Sequence, residues 1–330
     1  MPLKLSRSTW SLVLAAEFAI LGIVLAGANT AIAQSTEPPA PQQTFSTAQL
    51  AADALIQAAD KNDIPALLNL FGPDGKELVS SADPVQDKKR IEEFVTKAHE
   101  KRNVISESGN SARAILAVGS DDWPFPVPIV KQNGKWHFDA KAGRDEIVFR
   151  RVGANELDAI QICRGFVEAQ KEYASEIHDD SGLNQYAQKI ISTPGQHDGL
   201  YWKNEDGTPG GPISEAVARA IEEGYSPDQA SGYHGYIFKV LKGQGPAARL
   251  GQLDYVINGV MIGGFALVAA PAEYRSTGVK TFMVSYDGIV YEKDLGPDSL
   301  KIVQSMERYN PDKTWHATQD LNTDGSAEAE

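Results

Sequence analysis

Hydrophobic and polar positions follow two periods along this chain, and the period changes partway through each half. From Ser46 to about Arg102 apolar residues recur at three- and four-residue spacing, the signature of amphipathic helices. Ser46 or Thr47 can cap a helix running to about Ala59, with Leu50, Ala54 and Ala58 on one face. Asp63 can cap a second helix through Leu70, with Pro65 in its first turn. Gly72-Pro73-Asp74-Gly75 breaks that helix, and Asp83-Pro84 starts a third, with Ile91, Phe94, Val95 and Ala98 inward. The period then falls to two. Val104–Glu107, Ala112–Val118, Pro126–Lys131 and Lys135–Asp139 are predicted strands, and Asn133-Gly134 is a hairpin signal between the last two.

The second half repeats this order. Gly143–Gly153 predicts a short helix and a hinge. Asn155 can cap a longer helix, Glu156–Ile177, with Ile160, Cys163, Val167 and Ala174 on one face. A polar, glycine-containing stretch leads to Ser214, which can cap a helix to about Glu223. Tyr236–Leu241 alternates as a strand does. Phe265–Leu295 reads as three strands, the first ended by Pro271 and the last two joined at Asp287-Gly288. A final helix is expected over Ser299–Arg308. The fold class is therefore α+β: two domains, 45–142 and 143–309, with helices followed by antiparallel sheet in each. Residues 310–330 read as a disordered tail.

The N-terminus follows neither period. Lys4 and Arg7 precede an apolar run, Trp10–Ala26, and Ala31-Ile32-Ala33 fits a cleavage site that leaves Gln34 first. Residues 1–33 thus predict a signal peptide and 34–44 a proline-containing linker. The expected location is the periplasm or the extracellular space. Glu17 inside the apolar run disfavours a stable span, so membrane contact is expected only through an uncleaved segment.

Charge narrows the function classes. The formal net charge of −13 over 330 residues argues against nucleic-acid binding, which needs a basic face. Lys88-Lys89-Arg90 lies beside Glu92-Glu93 and reads as a solvated helix face. The single cysteine, Cys163, allows no internal disulfide and falls in an apolar helical stripe. The six histidines lack metal-ligand spacing, and no serine elbow or phosphate-cradling loop occurs, so no metal and no cofactor are expected. Asp179, Asp180, Ser181 and Asn184 supply oxygens, but not at the spacing of a calcium loop. Two clusters have the composition of a ligand site. One contains Asp122, Trp123 and Phe125, and the other Tyr233, His234 and Tyr236.

Several blocks carry a family likeness. Phe71-Gly-Pro-Asp-Gly-Lys-Glu-Leu-Val-Ser-Ser-Ala-Asp-Pro, Asp122-Trp-Pro-Phe-Pro-Val-Pro, Asn155-Glu-Leu-Asp-Ala-Ile-Gln, Gly199-Leu-Tyr-Trp, Tyr233-His-Gly-Tyr and Gly263-Gly-Phe-Ala-Leu-Val-Ala resemble DUF family 2950, exported bacterial proteins. The resemblance covers about Phe45 to Trp315 and implies export, with no mechanism attached. The layout of 45–142 also resembles the nuclear-transport-factor-2-like cone. That of 143–309, ending in Thr281-Phe-Met-Val-Ser-Tyr-Asp-Gly288, resembles the globular part of type IV pilins. The helix beginning at Asn155 departs from the pilin pattern, because it is amphipathic rather than apolar. The sequence therefore points to an exported, non-enzymatic protein that binds or scaffolds, its partner an envelope component or a small ligand. An envelope-polymer hydrolase and a pilin-like assembly component are the alternatives.

Overall fold

The computed structural model describes residues 42–80, 84–178, 181–214, 217–218 and 235–319. The expected signal peptide, the linker up to residue 41, Asp179-Asp180, Tyr233, His234 and residues 320–330 lie outside the described residues.

The first helices form where caps and apolar spacing place them. In α1 (Ala48–Asp60) the Thr47 hydroxyl accepts from the Leu50 amide at 3.2 Å. Its buried face runs through Ala51, Ala52, Leu55, Ile56, Ala58 and Ala59; Leu50, expected inside, is half exposed. The reason is packing on two sides: α1 lies against both a later helix and the sheet, and small alanines let both approach. In α2 (Ile64–Phe71) Asp63 caps the Ala66 amide at 3.0 Å. Gly72, at φ 70, turns the chain into a short helix that the sequence pattern did not reveal, α3 (Lys76–Val79). Then comes α4 (Pro84–Glu100), whose Lys88, Lys89 and Arg90 pair with Glu92, Glu93 and Asp87 on its solvent face.

The sheet that follows holds β1 (Arg102–Glu107), β2 (Asn110–Val118), β3 (Trp123–Pro124), β4 (Ile129–Gln132) and β5 (Lys135–Phe138). Its antiparallel order is β1-β2-β4-β5, with β3 added beside β2. Asn133 and Gly134 both take positive φ, as the primed turn joining β4 to β5 requires. Leu55, Leu70, Leu116, Ile129 and Phe138 form the centre of this core.

The helix α5 (Ala140–Tyr173) corrects the sequence reading. No hinge interrupts Gly143–Gly153; the helix is capped by Asp139 and runs 34 residues, roughly 50 Å at the usual rise. Gly153 has open space around it and costs about 1 kcal/mol against alanine, too little to break so long a helix. Asn155 does not cap. Its amide donates to the Thr277 carbonyl at 2.8 Å, and Glu156 accepts from the amides of Val279 and Lys280. The two ends of α5 serve different cores, Ala140 and Gly143 in the first and Ala159 to Tyr173 in the second, and no residue between Gly143 and Ala159 is buried.

The second core is built on strands. β6 (Lys189–Ile191) runs parallel to β7 (Gly199–Lys203), which pairs with β8 (Pro209–Gly210). After β9 (Tyr236–Leu241), β10 (Gly243–Gln244) pairs with β11 (Leu253–Asp254) and β12 (Val256–Ile257) with β13 (Val260–Met261). β14 (Ala266–Pro271), β15 (Thr281–Ser285) and β16 (Tyr291–Lys293) follow, then α6 (Ser299–Ser305) and β17 (His316–Ala317). The sheet order is β17-β16-β15-β14-β9, all antiparallel. Every residue of β14 and β15 is buried, since α5 packs on these strands and α6 on β14. An unbroken apolar run, not an alternation, is what a strand covered on both faces requires. The expected tail starts later than Asn310: Trp315 is buried and β17 pairs with β16. The chain is α+β, with helices early in each half and sheet after them.

Cys163 and Tyr236 sit together in this core. Burial pushes the Cys163 thiol from 9.0 to about 12, and raises the Tyr236 phenol too, with the nearby Glu156 charge adding to it. Both groups hold their protons more tightly folded than unfolded. Their contribution is intact below pH 9 and is lost as the pH climbs toward the folded values. Urea titrations are expected to show unfolding free energy falling by about 1.4 kcal/mol per pH unit from the thiol alone between pH 9 and 11. A profile flat across that range would refute the account.

Candidate functional site

In the first core the helices and sheet do not close completely. They leave a cavity of ≈ 340 Å³. Its floor is the buried face of α1 and α2, with Leu55, Ala59, Leu67 and Phe71. Its walls are Val79 of α3, Ile91 and Phe94 of α4, and Phe125 and Val127 after β3. Ile91 and Phe94, which the helical period turned inward, pack against the core and are only half-buried, because part of each faces this space. Gly143 lets the first turn of α5 close on the wall, since a β-carbon there would stand 2.6 Å from a Val127 methyl.

Aromatic rings organise one side. Phe125 lies 5.1 Å from Phe94 and 6.4 Å from Phe71 between ring centres, and Phe71 meets Phe138 edge-on at 5.3 Å. At the mouth stand Trp123 and Ile147 of α5, each more than a third exposed. The Arg150 guanidinium sits 5.3 Å from the Trp123 ring centre and donates to the Pro124 carbonyl at 2.7 Å, while Glu146 accepts from its Nε. Thus α5 fixes the strand carrying Trp123. The titratable residues that line the cavity are Asp87, Arg90, Glu93 and Lys97, all on α4; the Asp87 side chain is largely buried and the other three are exposed.

The sequence-predicted residues divide. Trp123 and Phe125 line the cavity together. Asp122 does not: it takes positive φ, and its carboxylate turns to Lys101 at 2.6 Å. Tyr236 is fully buried in the other core and donates its hydroxyl to the Lys280 carbonyl at 2.7 Å. Tyr233 and His234 lie outside the described residues, so the second predicted cluster is not assembled among them. Phe71, Phe94 and Ile147 were missed as site residues. Their sequence signal is only helical periodicity, which reads as core.

The profile of a family described as protein of unknown function (DUF2950) matches residues 42–318. The chain belongs to the DUF2950 family. Both cores and the whole lining of the cavity fall inside the DUF2950 match. No curated protein and no solved structure matches the chain, and the resemblances to the nuclear-transport-factor-2-like cone and to pilins are not confirmed. A second cavity, ≈ 410 Å³, lies between α5 and β7 near Ile213 and Val217, also inside the DUF2950 match.

Proposed function

We propose that this DUF2950 protein is exported and acts by binding, and that its ligand is a small, largely apolar molecule held in the cavity between α1, α2, α4 and the strand after Trp123. The basic, apolar and small-residue succession over residues 1–33 supports export. One observation carries the binding reading: the lining of the ≈ 340 Å³ cavity is mostly aliphatic and aromatic, and its ionisable residues all come from one helix. Pockets of this size, lined by aliphatic and aromatic side chains, are what small-molecule sites look like. Catalysis would need several acid, base or nucleophile groups converging inside, where Leu55, Leu67, Phe71 and Phe125 stand beside a single largely buried carboxylate, Asp87.

Ile91→Trp fills the cavity from a position already half exposed to it. Mature protein purified from an exporting host is expected to carry an organic-soluble compound detectable by mass spectrometry after extraction, and Ile91→Trp to carry at least about tenfold less. Equal extracts from both proteins, or a hydrolytic activity abolished by Trp123→Ala, would overturn the reading.

A further inference from the structure

We infer that the cavity selects amphiphiles with a single hydrocarbon chain of roughly twelve carbons and a head bearing no net charge; this rests on the binding role proposed above. Size sets the chain. A cavity of about 150 Å³ accommodates benzene, so ≈ 340 Å³ at the same filling takes roughly twelve to fourteen carbon atoms. The interior offers that chain aliphatic and aromatic carbon from Leu55 and Leu67 on the floor to Phe94 and Phe125 on the walls.

The rim sets the head. Two carboxylates, Asp87 and Glu93, and two cations, Arg90 and Lys97, line it, and their charges cancel. Each already has an opposite neighbour: Arg90 with Asp87 at 3.7 Å, Glu93 with Lys89 at 3.9 Å, and Lys97 with Asp121 at 3.4 Å. An anionic head must displace a carboxylate to reach Arg90 or Lys97, and it approaches a chain of net charge −13. A cationic head must in turn displace Arg90 from Asp87 or Lys89 from Glu93. Exchanging one exposed pair, Glu93–Lys89 or Lys97–Asp121, for another yields little, while the head still loses water. A hydroxyl or another uncharged polar head meets no such competition and can hydrogen-bond to either sign at the rim.

Isothermal titration of the mature protein at pH 7 with 1-hexanol, 1-octanol, 1-decanol, decanoate and decyltrimethylammonium tests this. Affinity is expected to rise about fourfold per methylene through the alcohols. 1-Decanol should exceed both charged decyl compounds by about tenfold or more. The double variant Arg90→Ala/Lys97→Ala removes two exposed cations of the lining; it should raise decyltrimethylammonium relative to 1-decanol, because the rim becomes anionic. Tighter binding of decanoate or decyltrimethylammonium to the unaltered protein would overturn the inference about the head while leaving the cavity as the binding site. Alcohol affinity that does not grow with length would overturn the inference about the chain. Absence of saturable binding by every compound, or binding unchanged in Ile91→Trp, would overturn the site itself and with it the proposed function.

Discussion

Gln244→Ala is expected to lower the free energy of unfolding by about 3–5 kcal/mol, measured by urea denaturation. Gln244 is fully buried at the end of β10, and its side chain is used at both ends. The amide nitrogen donates to the carbonyls of Arg249 at 2.6 Å and Gly251 at 2.7 Å, and the amide oxygen accepts from the Tyr255 hydroxyl at 2.9 Å. That hydroxyl also lies 3.2 Å from Ser285 Oγ, which bonds the Phe265 carbonyl, so one amide ties a loop to the central sheet. The loop holds Leu250 at φ 73 with most of its side chain in solvent, a conformation a leucine does not adopt without support. Removing the amide leaves buried acceptors unpaired and opens a void. Gln244→Leu, which restores volume but not the hydrogen bonds, should recover only part of the loss. A loss below about 1 kcal/mol for the alanine variant would show that the network contributes no more than an average hydrogen bond.

Glu156→Ala should cost about 2–4 kcal/mol. One carboxylate oxygen accepts from two successive amides, Val279 at 2.9 Å and Lys280 at 3.0 Å, at the entry to β15. These are partly buried donors with no strand partner at that point, and alanine leaves both bare. Glu156→Gln keeps an acceptor oxygen and should cost about half as much, because charge-assisted bonds are roughly twice as strong as neutral ones. Native-state hydrogen exchange offers a local readout. The Val279 and Lys280 amides should exchange much faster in the alanine variant, while amides of β4 and β5 in the other core stay as they were. Uniform acceleration across both cores would mean that Glu156 acts on global stability and not as a local clamp.

Both sites show why some features were visible in the sequence and others were not. The hairpin at Asn133-Gly134 and the caps at Thr47 and Asp63 depend on neighbours within three residues, and local sequence states them outright. Asn155-Glu156 looked equally like a helix start, yet α5 runs straight through it. A side chain that caps its own helix and one that clamps a strand more than a hundred residues later have the same composition; only the partner differs. The helix face of Ile91 and Phe94 was legible as inward, but not as facing a space. A residue pointing inward carries no record of whether the opposite side is filled, because that depends on how closely α1, α2 and the segment after β3 approach. Trp123 and Phe125 were singled out by composition and do meet at the cavity, whereas Asp122, from the same cluster, is drawn away by Lys101.

The helix-then-strand order of each half, the α+β class, the buried lone thiol, the acidic balance and the family were all legible in the order of the residues. These follow from periods, caps and composition, which act over a few residues or over the chain as a whole. It took the folded chain to establish that one helix joins the two cores without a break, that Trp123, Phe125, Phe71, Phe94 and Ile147 share one cavity, and that Tyr236 belongs to the core of the other half. Those facts depend on packing between segments distant in sequence, where the energy of a contact is set by what fills the opposite side.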